Sequence, residues 1–227
     1  MVLQNRMIRT VLQSQKGERS PNNEDAALVL SAQNIVAVAD GVGGGPAGED
    51  ASRWALCSIE RYLCSRVITE NEILSAIKIA NSSVIEKAQN TPLQGMASTL
   101  VLAWIKTNEV ICFNVGDSRT YLLRQQKLVQ LSNDHVAAVA RQGRIKNFIT
   151  RAIGIADDPD AEITRSDWQE GDVLLLMSDG IYDKLPHEQL ESICNQTQLS
   201  MYEKTSAMIN LSLRNGSADD KTVIMVF

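Results

Sequence analysis

Two stretches of the chain carry apolar residues at helical spacing, and each predicts an amphipathic helix that buries one face against a core. The apolar positions are Ala51, Ala55, Ile59 and Tyr62 in the first stretch, and Ile73, Ile77, Ala80, Val84 and Ala88 in the second. The second pattern stops before Thr91-Pro92, as expected of a helix end. Two helices are therefore expected back to back.

On both sides of these helices the apolar residues follow the patterns of strands. Residues 29–40 predict two short strands about a turn at 32–34, and the second strand ends on Asp40-Gly41. Further strands are predicted at 97–105, 110–115, 120–123, 127–131, 161–167, 172–177 and 222–227. Helices are expected near 187–195 and 200–214, and a helical or irregular segment at 134–153.

The order of these elements indicates an α+β fold, because helices and strands come in separate blocks. The links between successive strands of residues 97–131 are short, which favours antiparallel pairing. We expect antiparallel sheets packed together, with helix pairs outside them. The 227 residues include 44% hydrophobic side chains, enough for one sizeable core and one domain.

Composition argues against several classes of function. A net charge of −5 without any run of basic residues disfavours a nucleic-acid partner. The first twenty residues lack the layout of a secretory signal, and the apolar run 173–177 is too short to span a bilayer. Cys57, Cys64, Cys112 and Cys194 have no CxxC spacing or companion histidines, so we expect buried thiols in a cytoplasmic protein and no zinc site.

Five short acidic motifs occur beside strand-like runs or glycines. They are Asn-Asn-Glu-Asp at 22–25, Asp-Gly-Val-Gly-Gly at 40–44, Gly-Asp-Ser-Arg at 116–119, Ser-Asp-Gly at 178–180 and Ala-Asp-Asp-Lys-Thr at 218–222. Carboxylate oxygens suit Mg²⁺ and Mn²⁺, and such a cluster can hold two ions about 3.5–4 Å apart that clamp a phosphoryl group. Each motif alone also fits a turn or a helix cap, so the hypothesis of metal-assisted phosphate-ester hydrolysis rests on the set.

Asp40 is the best candidate for a carboxylate that bridges two ions. It ends a buried apolar strand, and Gly41 leaves the main-chain carbonyl free to turn toward a metal. Asp179-Gly180 follows the apolar run 173–177 in the same way.

Six ordered motifs resemble those of the metal-dependent protein phosphatases, the type 2C or PPM family. They are Asn23-Glu24-Asp25, Asp40-Gly41-Val42-Gly43-Gly44, Val115-Gly116-Asp117-Ser118-Arg119, Leu131 with Asp134-His135, Leu176-Met177-Ser178-Asp179-Gly180 and Asp219-Asp220-Lys221-Thr222. The resemblance covers nearly the whole chain. It implies an αββα sandwich of two antiparallel β-sheets flanked by pairs of helices, with residues 1–227 forming a single catalytic domain and the metals at the sheet edge.

The resemblance also implies roles for individual residues. Catalysis would depend on Asp40, Asp179 and Arg19. The metal ligands would be Asp40 as the bridge, the Gly41 carbonyl, Asp179 and Asp219 at the first ion, Glu24 and Asp25 near the second, and Asp117 with Asp179 at the third ion of bacterial members. The ions would be Mn²⁺ or Mg²⁺, and a metal-bridged water would attack phosphoserine or phosphothreonine of a phosphorylated protein, opposing a serine/threonine protein kinase.

Besides Val42, which stands where many eukaryotic relatives carry a histidine after Asp-Gly, three features of the chain depart from the family pattern. Where an arginine usually binds the substrate phosphate this chain has Ser20, and Arg19 takes that role if the chain bulges at Ser20-Pro21; otherwise Arg19 is a solvated arginine. Asp220 replaces the usual asparagine, where it would either strengthen cation attraction or face solvent.

The third departure is the flap at 136–153, which is short and contains basic residues. They are Arg141, Arg144, Lys146 and Arg151. These residues would favour an approaching phosphopeptide, or form a solvated face. Two alternatives to a protein phosphatase stay open: a phosphatase-like binding or regulatory module with weak or no activity, and a phosphatase of small molecules.

Overall fold

Two antiparallel β-sheets form the centre of the protein. The structure is a computed structural model that describes residues 8–42, 47–89, 91–141 and 144–227, with only the backbone at 140–141 and 144–147. One sheet contains, in spatial order, β1 (Thr10–Gln15), β13 (Lys221–Val226), β12 (Val173–Met177), β7 (Arg119–Arg124) and β8 (Lys127–Gln130). The other contains β11 (Glu162–Asp167), β6 (Glu109–Val115), β5 (Leu100–Ile105), β3 (Ile35–Val42) and β2 (Asp25–Leu30), and the short β4 (Ala97–Ser98) pairs with the end of β3.

Helices cover the outer face of each sheet. The predicted pair, α1 (Gly48–Leu63) and α2 (Glu70–Ala88), packs on the sheet that contains β3. The other sheet is covered by α3 (Asp179–Tyr182), α4 (His187–Cys194) and α5 (Met201–Arg214). The predicted αββα sandwich is therefore confirmed. The predicted apolar faces of α1 and α2 are the buried ones, with Ala51, Ala55, Ile59, Ile73, Ile77, Ala80, Val84 and Ala88 at most 7% exposed.

The apolar strands of the centre are buried on both faces. Successive side chains of a strand point to opposite sides of the sheet. Val36 and Val38 of β3 therefore pack between the two sheets, whereas Ile35, Ala37 and Ala39 pack under α1 and α2. This double burial makes β3 apolar without alternation and leaves the first polar residue, Asp40, for its end.

Several predicted boundaries were wrong. The segment 134–153, expected to be helical or irregular, forms an antiparallel hairpin of β9 (Val136–Arg141) and β10 (Arg144–Ile149). Its basic residues obscured the β-branched and aromatic positions that favour strands. The polar edge strand β1 was not predicted, and the predicted strand 97–105 breaks at Thr99 into β4 and β5.

Two further observations concern the limits of the fold. The expected glycine-rich turn at 43–46 lies outside the described residues. Among the helices that the structure describes, none combines the length and apolar character needed to cross a membrane.

Candidate metal centre

Five aspartates from separate parts of the sequence lie at one edge of the sandwich. Asp40 lies two residues before the end of β3, and Asp25 begins β2 directly opposite it in the antiparallel register. Asp117 follows β6, Asp179 follows β12, and Asp219 precedes β13. Because the end of one antiparallel strand adjoins the beginning of the next, the two sheets bring all five to the same edge.

Burial, and then the proximity of other carboxylates, raises the pKa values of four of these aspartates, Asp25, Asp40, Asp117 and Asp179. Burial, followed by repulsion from Asp25, Asp179, Asp219 and Asp117, holds the pKa of Asp40 well above its usual range. Burial and then repulsion from Asp219 and Asp117 raise the pKa of Asp179 to about 8. The set is therefore a cluster of acidic groups, with Asp25 buried and the other four half-buried, whose mutual repulsion a cation would relieve.

Asp25, Asp117 and Glu24 show the same effect. Burial is the main cause that raises the pKa of Asp25 to about 7, against hydrogen bonds from Ser178 and Thr222 that lower it. Burial likewise raises the pKa of Asp117 to about 6 and raises that of Glu24. The sequence prediction grouped these residues with the cluster, and the electrostatics connect them to it.

Two buried oxygens of the cluster are orphaned. Among the described residues, neither Asp25 Oδ1 nor Asp179 Oδ1 has a hydrogen-bond partner. Buried polar atoms normally have partners, and an oxygen-only donor set suits Mg²⁺ or Mn²⁺. The residues therefore fit a divalent ion. Within the described ranges, no three acidic, histidine or cysteine side chains are arranged closely enough to hold an ion as they stand.

Thr99 fixes the backbone of Asp40. Its side-chain Oγ1 accepts a hydrogen bond from the Asp40 N–H at 3.0 Å, and its own N–H donates to the Asp40 carbonyl at 2.8 Å. Ser98 Oγ donates to the same carbonyl at 3.0 Å. These contacts interrupt the strand between β4 and β5, and they hold Asp40 rigidly at the rim.

Asp179 is held by the turn into α3. Ser178 Oγ donates to Asp25 Oδ2 at 2.7 Å and accepts from the Thr222 N–H at 3.0 Å. A Cβ on Gly180 would lie 1.9 Å from the Asp220 carbonyl oxygen, so only glycine allows this approach. The Ser-Asp-Gly motif therefore joins α3 to the segment that carries Asp219.

Asp117 is anchored from two sides. The Tyr182 hydroxyl donates to the Asp117 carbonyl at 2.7 Å, and the guanidinium of Arg119 lies over the Tyr182 ring while it pairs with Asp134. On the other side, the Gly116 N–H donates to His135 Nδ1 at 3.1 Å.

A family model described as protein phosphatase 2C matches residues 14–214 of the chain. The chain belongs to the protein phosphatase 2C family. It is 34% identical to the serine/threonine phosphatase stp of Listeria welshimeri serovar 6b over 233 residues, which cover 93% of this chain and 92% of the relative.

Solved structures of phosphatases share the fold. The S. agalactiae serine/threonine phosphatase aligns with a TM-score of 0.86 at 25% identity, over 97% of this chain and 99% of that one. The catalytic domain of the serine/threonine protein phosphatase PstP, solved in complex with two manganese ions, aligns with a TM-score of 0.80 at 26% identity, over 97% of each chain.

Arg19, which the family pattern made a phosphate ligand, lies beside the cluster of this protein phosphatase 2C chain. Residues 18–22 form a series of bends without regular structure. The side chain of Arg19 is 71% exposed, and its Nη1 contacts Asp219 Oδ2. The predicted phosphate ligand therefore pairs with a predicted metal ligand, rather than standing alone in solvent.

The structure bears differently on the two other features that depart from the family pattern, the basic flap and Asp220. The side chains of Arg141, Arg144 and Lys146 lie outside the described residues. Arg151 pairs with Asp160 at 2.9 Å, which balances its charge. Asp220 is only 5% exposed, so of the two alternatives left open for it, the one in which it faces solvent is wrong.

Sequence reasoning missed three residues that support the cluster. Thr99 and Ser178 are buried hydroxyls that hold Asp40 and Asp25. Lys221 is fully buried, and its ammonium donates to the Asp219 carbonyl at 2.5 Å. A lysine at the start of the apolar run 221–227 was a visible signal, because burial of an ammonium requires a polar partner.

Proposed function

We propose that this protein is a Mn²⁺- or Mg²⁺-dependent phosphatase that hydrolyses phosphoserine and phosphothreonine in proteins. The observation that carries the proposal is the carboxylate cluster, because its mutually repelling carboxyl groups and its two buried oxygens without hydrogen-bond partners suit a bound cation. Membership of the protein phosphatase 2C family supports the reaction class. A relative named serine/threonine phosphatase and a related structure with two manganese ions support the substrate and the metal.

Each predicted ligand keeps its proposed role. Asp40 is the ligand shared by two ions, which its position among four other aspartates supports. The remaining ligands are Gly41 through its carbonyl, Asp179 and Asp219 at the first ion, Glu24 and Asp25 toward the second, and Asp117 with Asp179 at a third. All of the side-chain ligands provide carboxylate oxygens, as hard divalent ions prefer.

Bound divalent ions would neutralise the cluster and activate water for attack on phosphorus. The chain itself holds the reacting groups in place: Thr99 fixes Asp40, and Ser178 fixes Asp25. Ser178 Oγ already donates one hydrogen bond and accepts another, which argues for water rather than this hydroxyl as the nucleophile. Once released from Asp219, the Arg19 guanidinium would pair with two oxygens of the substrate phosphate.

We extend the proposal to the biological setting. Phosphorylated proteins would be the substrates, and a serine/threonine protein kinase would supply them. Residues 1–227 would form one catalytic domain. The setting proposed is cytoplasmic, which free thiols suit. Cys112 and Cys194 are buried as expected, whereas the expectation of buried thiols is wrong for Cys57 and Cys64, which are exposed.

The test is hydrolysis of p-nitrophenyl phosphate with added Mn²⁺, in the wild type and in Asp40→Asn and Asp179→Asn. Activity should appear only with metal and should fall by several orders of magnitude in both variants, because each loses a charged ligand. The matched control is Asp172→Asn. Asp172 is a buried aspartate that precedes β12 at the opposite end from Asp179, so its loss should leave metal-dependent turnover intact.

The outcomes separate the alternatives. A wild type without activity would identify a binding or regulatory module. Activity that survives both cluster substitutions would refute the ligand assignment. Turnover of a phosphothreonine peptide compared with nucleotides distinguishes a protein phosphatase from a small-molecule phosphatase, and a strong preference for nucleotides would contradict the proposed substrate.

A further inference from the structure

Asp220 makes two short contacts that join distant parts of the chain. Its Oδ1 accepts a hydrogen bond from the Gly17 N–H at 2.6 Å, and its Oδ2 accepts one from the Glu24 N–H at 2.6 Å. The side chain is buried. One carboxylate therefore holds two backbone positions, the first residue of the Arg19 loop, which we define as residues 17–20, and Glu24 beyond its end.

The first contact fixes the beginning of the Arg19 loop. The N–H groups of Glu18 and Arg19 both donate to the Ala218 carbonyl, at 2.8 and 3.0 Å. A Cβ on Gly17 would lie 2.3 Å from that same oxygen, so the loop lies directly against the chain before β13. From the exposed side, Lys16 Nζ donates to the Gly17 and Ser20 carbonyls at 2.8 and 2.9 Å.

The second contact fixes the strand that carries a proposed metal ligand. Glu24 immediately precedes β2, and Asp25 is the first residue of that strand. The Glu24 carbonyl accepts from the Gly41 N–H at 3.1 Å, beside Asp40. Asp220 thus connects the proposed phosphate ligand on one side with the proposed metal ligands on the other.

Only a carboxylate satisfies both donors. An ionised aspartate presents two acceptor oxygens, whereas an asparagine presents one oxygen and an NH₂ group that only donates. With asparagine, one of the two backbone N–H groups would face another donor and lose its partner. A buried donor left without an acceptor is costly. The replacement of the usual asparagine by Asp220 therefore changes what this position can hold.

We propose that Asp220 is a positioning residue that sets the distance between the Arg19 loop and the metal cluster, so that the Arg19 guanidinium reaches a phosphate bound there. The chain has its arginine one position earlier than the family pattern and an aspartate in place of asparagine, and the hydrogen bonds of Asp220 link the two departures. The inference rests on the proposed function, because that function supplies the substrate phosphate that Arg19 would reach.

The experiment compares wild type with the isosteric variant Asp220→Asn, both loaded with Mn²⁺. The dissociation constant for inorganic phosphate and the KM for p-nitrophenyl phosphate should each rise about tenfold, with kcat less affected, because one charge-assisted hydrogen bond is lost. Amide hydrogen exchange at Gly17 or Glu24 should accelerate, since one of these N–H groups loses its acceptor. In an Arg19→Ala background, Asp220→Asn should change phosphate affinity no further.

Two controls separate positioning from general stability. Asp172→Asn removes an equally buried carboxylate, one that accepts the Gln169 N–H at 2.8 Å at the far end of β12, and should leave phosphate affinity unchanged. Lys16→Met removes the hydrogen bonds from Lys16 Nζ to the carbonyls of the same loop without disturbing the core. It should weaken phosphate binding, as Asp220→Asn should. It serves as the measurement if Asp220→Asn does not fold.

The results that overturn the inference differ from those that overturn the proposed function. Phosphate affinity and KM unchanged in both Asp220→Asn and Lys16→Met would refute positioning, as would an equal effect of Asp220→Asn with and without Arg19. A wild type that neither hydrolyses p-nitrophenyl phosphate nor binds phosphate refutes the proposed function instead. In that case, unchanged amide exchange at both Gly17 and Glu24 would still refute the structural link.

Discussion

Replacing Asp25 by asparagine should stabilise the metal-free protein, although it removes a proposed metal ligand. Burial, with repulsion from Asp220 and Asp219, raises the pKa of Asp25 from 3.8 to about 7. Each unit of pKa corresponds to about 1.4 kcal/mol, so the ionised Asp25 side chain destabilises the folded state by about 4 kcal/mol at pH 8. Asparagine removes the charge, and its amide oxygen can still accept the Ser178 hydroxyl. We expect the variant to gain about 2–4 kcal/mol.

The stability that Asp25→Asn gains over the metal-free wild type should increase as pH rises. The pKa of Asp25 is higher in the folded protein than the 3.8 of an unperturbed carboxyl, so the folded state binds more protons between about pH 4 and 7. The stability of the metal-free wild type therefore falls as pH rises through this window. Asparagine does not titrate. The advantage of Asp25→Asn should be large at pH 8 and small at pH 4.5.

Urea unfolding in the presence of a chelator measures this difference for wild type, Asp25→Asn and the control Asp172→Asn. The control breaks the pair in which Arg124 Nη2 donates to Asp172 at 2.7 Å, so it should lose stability at both pH values. Mn²⁺ should stabilise the wild type more than Asp25→Asn, since it relieves the same repulsion. An Asp25→Asn variant less stable than wild type at pH 8, or an advantage equal at both pH values, would refute the reasoning.

Three further substitutions test how the site is held. Thr99→Val leaves the Asp40 N–H without its acceptor, so it should lower the free energy of unfolding by about 1–3 kcal/mol and weaken Mn²⁺ binding measured by calorimetry. Thr99→Ser keeps the hydroxyl and should restore both the stability and the Mn²⁺ affinity. Gly180→Ala places a Cβ 1.9 Å from the Asp220 carbonyl and should lower the Tm strongly, so a Tm close to wild type would contradict the described turn. Arg19→Ala should raise the KM for p-nitrophenyl phosphate about tenfold with a smaller effect on kcat; an unchanged KM would make it a surface arginine.

The spacing of apolar residues along the chain was sufficient to predict the helices and strands of the core. The apolar positions of α1 and α2 and the double burial of β3 follow from spacing alone, because amphipathic helices and fully buried strands have distinct patterns. Local patterns failed where tertiary contacts decide. The polar strand β1 forms because β13 offers its edge, and the strand 97–105 breaks where Thr99 turns to bind Asp40. Neither cause is present in the local sequence.

For the candidate site, too, some features could be predicted from the sequence and others depend on the folded structure. The residues proposed to carry the chemistry could be predicted from the sequence, since Asp40, Asp179 and the other acidic residues stand at strand ends in a recognisable order. Their interactions follow only from the packing of the folded chain: which carboxyl groups repel one another, that Arg19 contacts Asp219, and that Asp220 is buried between Gly17 and Glu24. The physical reason is that charge repulsion and hydrogen bonding depend on distances in space, and residues about 200 positions apart become neighbours only when the two sheets pack together.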